Sequence, residues 1–249
     1  MAEDRSVLSR SVGPADRVLA YGDDPGQIME VRDGRAGAAQ RPLVFIVHGG
    51  FWRPDIDLSH ARPLAQAIAA AGWTVALAEY ARMPGNPAPT FADLTLALTR
   101  APQIVALHNG GVILLGHSAG GHLVLWAAAA RICPTLAGTL ALAPVADLLL
   151  AHEMGLGDGA VARFLGCDPV SRPDLDPRQR SAPQTPTTIL HGSADTIVPP
   201  AISESYVAAH SLVTLIPVVG AGHFALIDPH SSAWPLVIAQ LYGFTVPMA

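Results

Sequence analysis

The sequence predicts an α/β fold with a mostly parallel central sheet, helices on both faces and a short lid-like insertion. Short β-branched or leucine-rich runs alternate with longer alanine-rich segments, which is typical of βαβ units. Residues 43–47 are all apolar, as expected for a strand covered on both faces. The length of 249 residues and the hydrophobic content of 50% fit one compact domain spanning 1–249.

The first third of the chain begins with an expected arm of weak structure at 1–16. A turn-forming Gly-Asp-Asp-Pro-Gly segment then separates two expected edge strands. An amphipathic run that ends at Gly72 predicts a helix at 63–71. The strands expected in this part of the chain are 17–21, 27–32, 43–47 and 74–78.

The remaining elements follow the same alternation. A helix is expected at 91–107, where Pro102 should kink or split it. Residues 148–186 are polar and rich in Gly and Pro, and we interpret them as a lid-like excursion because they have too little apolar content for a core of their own. The other expected strands are 112–115, 136–142, 187–190 and 213–218, and the other expected helices are 122–130 and 232–242.

Composition excludes several function classes. The net charge is −5 and no basic cluster occurs, so we expect no nucleic-acid partner. All fifteen positive side chains are arginines, which excludes a Schiff-base or P-loop lysine. Cys133 and Cys167 form neither a disulfide framework nor a zinc site, so no metal or other cofactor is expected. Pro144 and Asp147 interrupt the best membrane-span candidate and no signal-peptide pattern occurs, so we expect a cytoplasmic protein without a membrane partner.

The segment 116–121, Gly-His-Ser-Ala-Gly-Gly, lies between an apolar strand and an alanine-rich helix. A serine flanked by glycines at a sharp strand-to-helix turn is the pattern of a nucleophile elbow. Small residues allow the tight turn, which exposes Ser118 at the helix N-terminus. The alternative is a chance match in a glycine-rich chain. The flanking strand and helix favour Ser118 as a catalytic nucleophile.

A serine nucleophile needs a base and an acid that orients the base, and in elbow proteins they follow in the order serine, acid, histidine. Asp195 follows the strand at 187–190, and His223 follows the strand at 213–218. We predict these two as the acid and the base, because loops at the carboxyl ends of strands carry function in α/β sheets. A solvated turn aspartate and a structural histidine are the alternatives, and Asp147 is the reserve acid.

The segment 48–52, His-Gly-Gly-Phe-Trp, follows another predicted strand. We expect the backbone N–H groups of Gly50 and Phe51, with that of Ala119, to form the oxyanion hole. Trp52, Tyr80 and Phe224 lie close in sequence to these loops, and we expect them to line the substrate pocket, with core packing as the alternative.

These three loops resemble those of the α/β-hydrolase family, over residues 17–245. Residues 48–52 resemble the His-Gly-Gly-x-Trp signature of kynurenine formamidases (arylformamidases), which belong to the hormone-sensitive-lipase-like esterases. Residues 80–84 are similar to the Tyr-Arg-Leu-x-Pro element of that group, with the arginine shifted by one position. The elbow is also similar to that of formamidases, although many esterases share it.

The resemblance implies a serine hydrolase whose partner is a small-molecule amide or ester substrate. The leading hypothesis is an arylformamidase acting on N-formylkynurenine. A general carboxylesterase or a natural-product tailoring hydrolase is the second hypothesis, and a non-catalytic ligand-binding receptor on the same scaffold is the third. The sequence is compatible with a homodimer.

Overall fold

The computed structural model describes residues 3–245. Its centre is an eight-stranded sheet in the order β1-β2-β4-β3-β5-β6-β7-β8. The first two strands pair antiparallel, β2 pairs antiparallel with β4, and all other pairs are parallel. The strands are β1 (Arg17–Ala20), β2 (Ile28–Arg32), β3 (Leu43–Val47), β4 (Val75–Ala78), β5 (Val112–His117), β6 (Leu136–Leu142), β7 (Thr187–Gly192) and β8 (Thr214–Val218).

Helices cover both faces of the sheet, and each face has its own buried apolar cluster. This burial explains why β3, β4, β5 and β7 are buried along their whole length. Among residues 3–245, no helix is both long and apolar enough to cross a membrane. The helices are α1 (Arg62–Ala70), α2 (Ala88–Ile104), α3 (Ala119–Ala130), α4 (Leu148–Glu153), α5 (Leu156–Leu165), α6 (Ala201–Ala209) and α7 (Trp234–Gly243).

The predicted strands and helices lie where the sequence indicates, with shifts of a few residues at most boundaries. The expectation that Pro102 would kink or split the helix is wrong, because α2 is one continuous helix. The proline lies in its last turn, where the lost backbone donor affects only the end of the helix.

The arm was expected to be weakly structured, and its described part, 3–16, is instead anchored to the body. Ser6–Ser9 form a 3₁₀ turn, and the side chain of Val7 is only 1% exposed. The Arg10 guanidinium binds the Asp228 carboxylate through both of its terminal nitrogens, with one N–O distance of 3.0 Å. The arm therefore packs against the loops that follow β3 and β8.

The excursion at 148–186 is more ordered than its composition suggests. It contains α4, α5 and the two 3₁₀ turns Pro169–Ser171 and Pro177–Gln179. Its apolar side chains, among them Phe164 at 2% exposure, join the core cluster of the main sheet. The segment thus needs no core of its own, and it forms a cap packed on the body.

Candidate active site

Ser118 lies between β5 and α3 in a strained conformation, with φ 57° and ψ −119°. Its backbone is held on both sides, since its N–H donates to Leu142 O at 2.9 Å and its carbonyl accepts from Val145 at 3.2 Å. A non-glycine residue in such a region costs on the order of 1–3 kcal/mol, and it persists only where the surroundings enforce it. The turn therefore has the geometry of the nucleophile elbow predicted from the sequence.

The glycine at position 120 is required by close backbone approach. A Cβ on Gly120 would lie 2.1 Å from the carbonyl oxygen of Val47, at the end of β3. Gly49 plays a similar part on the facing loop, because a Cβ there would lie 2.9 Å from His117 O and 3.1 Å from Ser118 Cβ. The small residues thus bring the loop after β3 against the elbow.

Asp195 and His223 meet at the carboxyl ends of β7 and β8. The Nδ1 of His223 lies 2.6 Å from Asp195 Oδ2, and both side chains are buried. The other carboxylate oxygen of Asp195 accepts the N–H groups of Ile197 at 2.9 Å and Val198 at 2.8 Å. Ser118 and His223 line the same cavity. The three predicted residues therefore come together from loops far apart in the sequence.

A second histidine, which the sequence reasoning missed, also lies beside Asp195. His191 Nε2 is 3.5 Å from Asp195 Oδ2 and donates to Val198 O at 2.8 Å, while its Nδ1 faces the Ser203 hydroxyl at 2.6 Å. Burial alone would raise the pKa of Asp195, but hydrogen bonds from His191 and His223 lower it below its usual value. The carboxylate is therefore charged across the neutral range. In the sequence, the His-Gly-Ser-Ala-Asp segment places His191 four positions before Asp195, and this spacing was the signal that could have identified the second histidine.

The reserve acid Asp147 is occupied elsewhere. Its carboxylate caps α4 by accepting the N–H of Leu150 at 2.9 Å. It also accepts the Ser205 hydroxyl at 2.5 Å and lies 3.2 Å from Arg178 Nε. The geometry thus favours Asp195 as the partner of His223.

The loop after β3 holds two aromatic residues with positive φ, 51° at Phe51 and 54° at Trp52. Within residues 3–245, the backbone N–H groups of Gly50, Phe51 and Ala119 have no intramolecular acceptor. These are the three predicted oxyanion donors, and they lie on two loops that touch each other. Free N–H groups in a preformed loop can stabilise developing negative charge.

Glu79, at the end of β4, connects to that loop, and the sequence reasoning did not single it out. Its carboxylate faces His48 Nε2 at 3.1 Å, accepts the N–H of Leu58 at 3.1 Å and pairs with Arg82. His48 in turn bonds Gly49 O at 2.8 Å. Burial by itself would raise the pKa of Glu79, but the hydrogen bonds and charges of His48 and Arg82 lower it to about 2.

The cavity at Ser118 has a volume of about 750 Å³. Of the three aromatic residues expected in the pocket, Phe224 lines it, together with Phe51. Trp52 and Tyr80 do not line it, which corrects that expectation. Trp52 stacks on Phe164 of the cap at 4.7 Å and borders a smaller depression, and the Tyr80 hydroxyl donates to His48 O at 2.9 Å. Both rings are buried in the core, where their apolar faces pack, and from there they support the loop.

Comparisons with known proteins agree with this architecture. A family model described as an alpha/beta hydrolase fold matches residues 44–165. Esterase LipC of Mycobacterium tuberculosis is 26% identical over 91% of this chain and 65% of its own length. A kynurenine formamidase of Danio rerio is 28% identical over 46% of this chain and 39% of its own length. The chain therefore matches less than two thirds of either relative.

Solved structures show the same fold. Esterase 2 of the planctomycete Thermogutta terrifontis superposes with a TM-score of 0.73 at 20% identity, over 95% of both chains. A putative thioesterase of a Silicibacter species gives a TM-score of 0.70 at 22% identity, over 94% of this chain and 88% of the other. These structures confirm the fold class predicted from the sequence, and the family model over residues 44–165 agrees with the predicted resemblance.

Proposed function

Because this chain is an α/β-hydrolase by fold, we propose that it is a serine hydrolase that cleaves a small-molecule ester or amide through an acyl-enzyme. One observation carries the proposal. The strained Ser118 lines the same cavity as His223, whose Nδ1 lies 2.6 Å from the buried Asp195 carboxylate. A purely structural role would not explain a strained serine facing a cavity beside such a pair.

In the proposed mechanism, Ser118 Oγ attacks the carbonyl carbon while His223 Nε2 accepts the hydroxyl proton. Asp195 holds the imidazole in the required tautomer and stabilises its cationic form. The tetrahedral intermediate then collapses, the C–O or C–N bond breaks and His223 protonates the leaving group. A water molecule, deprotonated by His223, cleaves the acyl-enzyme and restores the serine.

The oxyanion that forms in both steps would be bound by the N–H groups of Gly50, Phe51 and Ala119. Their lack of intramolecular acceptors within residues 3–245 supports this role. Removing one such donor typically lowers the rate by on the order of 10² to 10³. The strain at Phe51 is consistent with a loop set in place before the reaction.

For the substrate, we propose N-formylkynurenine as the leading candidate. The His-Gly-Gly-Phe-Trp segment at 48–52 and the similarity to a kynurenine formamidase support it. A general carboxylesterase is the second candidate, and the similarity to esterase LipC over 91% of the chain favours it. A silent ligand receptor would have no need of a strained serine beside a histidine–aspartate pair, which argues against that reading.

Parallel assays on N-formylkynurenine and on p-nitrophenyl esters would separate the two candidates. We expect the purified protein to hydrolyse both, and Ser118→Ala to hydrolyse neither while unfolding at the same temperature as the wild type. Turnover of the esters alone would reject the formamidase assignment. Wild-type activity in Ser118→Ala would reject the serine mechanism itself.

A further inference from the structure

The N-terminal arm reaches the loop that carries His223. The Glu3 carboxylate accepts the backbone N–H of His223, and a Cβ on Gly222 would lie 2.0 Å from Glu3 Oε2. Further along, the buried Val7 shares a core cluster with Leu58. Together with the Arg10–Asp228 pair, these contacts fix the arm at both ends of its first turn. The side chains between Glu3 and Arg10 are therefore held against the candidate active site.

Two side chains of this arm, Arg5 and Leu8, line the cavity at Ser118. The guanidinium carbon of Arg5 lies 5.6 Å from the centroid of the Phe224 ring, which is itself a cavity wall. A guanidinium over an aromatic face is held in a preferred orientation and keeps its N–H donors available.

The guanidinium of Arg5 differs from the other cavity arginine in its surroundings. Within the part of the chain from 3 to 245, no carboxylate lies within 4.0 Å of its nitrogens. Arg53, the other arginine of the cavity, lies 3.7 Å from Asp158 and donates to Gly157 O at 3.1 Å. Of the remaining acids there, Asp57 accepts the N–H of Ser59 at 2.9 Å and Asp55 is exposed. Of the two cavity arginines, Arg5 is thus the one whose charge is not paired with a carboxylate among residues 3–245, and its donors are available to an anionic ligand.

We propose that Arg5 is a specificity-determining residue that binds a carboxylate on the substrate, beside the Phe224 ring. The proposal rests on the proposed hydrolase function and narrows its substrates to anionic esters or amides. Arg5 donates paired N–H bonds to the carboxylate, in the geometry in which guanidinium and carboxylate are complementary. The carboxylate belongs either to the acyl group or to the leaving group, and both cases use the same contact.

Two matched substrate pairs test the proposal. Mono-p-nitrophenyl glutarate against p-nitrophenyl hexanoate varies the charge of the acyl group, and 4-acetoxybenzoate against 4-acetoxybenzamide varies the charge of the leaving group. The proteins are the wild type, Arg5→Gln and Arg100→Gln, the last removing an exposed arginine of α2 outside the cavity. Thermal unfolding of each variant checks its fold.

For at least one pair, we expect Arg5→Gln to lower kcat/KM for the anionic member about tenfold, mainly through KM. The kcat/KM for the neutral member should change by less than about twofold in Arg5→Gln. Arg100→Gln should leave kcat/KM unchanged for both members. Raised salt should narrow the wild-type preference for the anion. The pair that responds identifies the side of the scissile bond that carries the carboxylate.

Equal losses for anionic and neutral members, or no loss in either pair, would overturn the role of Arg5. These outcomes leave the hydrolase proposal standing, because that depends on Ser118-dependent turnover of the neutral esters. A wild type that hydrolyses no member of either pair would reject the hydrolase proposal and the Arg5 proposal together.

Discussion

At the scale of single residues, the path of the loop after each strand decides which carboxylate pairs with His223. Asp195 and Asp147 both follow a strand, so the sequence left them as alternatives. The choice depends on loop paths beyond the strands, which bring Asp195 to 2.6 Å from His223 and turn Asp147 towards α4. Those paths are set by long-range packing, which local sequence patterns do not encode.

Asp195→Asn should reduce kcat by on the order of 10⁴, because an amide would favour the wrong tautomer of His223. Asp147→Asn is the matched comparison. It removes charge from an α4 cap and from the contact with Arg178, so we expect a loss of about 1 kcal/mol in stability and little change in kcat. Steady-state kinetics and urea unfolding on both variants measure the two effects. A larger kcat loss in Asp147→Asn than in Asp195→Asn would show that the pairing is misassigned.

At the scale of elements, most strands and the three site-bearing loops could be predicted from the sequence. Buried parallel strands are continuous apolar runs, and the glycines of the elbow mark a tight turn. The sequence located the excursion at 148–186 but not its helices or its packing. Its apolar side chains pack into the core of the sheet, and the first turn of α5 is left-handed at Gly157, Asp158 and Gly159. Such a turn has no 3.6-residue apolar repeat to detect.

The Glu79 carboxylate links the end of β4 to the loop after β3 by hydrogen bonds. This link is sensitive to acid because the carboxylate can be protonated. Its pKa falls from an ordinary 4.5 to about 2 on folding, so its contribution to stability is complete above about pH 4.5. The contribution is lost as pH falls from 4.5 towards 2, because the unfolded state takes up a proton in this range while the folded state does not. After discounting for partial exposure, the contribution at neutral pH is about 2 kcal/mol.

Glu79→Gln should therefore unfold about 2 kcal/mol more easily than the wild type at pH 7, and this difference should shrink towards pH 3. Urea unfolding at several pH values measures it, with Glu204→Gln, an exposed carboxylate of α6, as the control. A difference that stays constant with pH would contradict the assignment of the charge to this network. We also expect a lower kcat in Glu79→Gln, since the carboxylate supports the loop with Gly50 and Phe51.

At the scale of the whole molecule, the sheet brings residues from distant parts of the chain together at the carboxyl ends of its strands. Ser118, Asp195 and His223 follow β5, β7 and β8, and the loop after β3 adds the oxyanion donors. The arm joins the same end of the sheet through Glu3 and His223, which are 220 positions apart. A contact of that separation leaves no local signal, so the sequence predicted the loops that bear the site but not the wall formed by the arm.

The role of Ser118 as an activated nucleophile can be tested directly by peptide mapping with mass spectrometry after incubation with a fluorophosphonate probe, which reacts with activated serines. We expect a single adduct on Ser118, absent in Ser118→Ala and strongly reduced in His223→Gln, with no other residue of the folded wild type modified. No adduct on the wild type, or an adduct on a different serine, would contradict the role of Ser118 as the nucleophile.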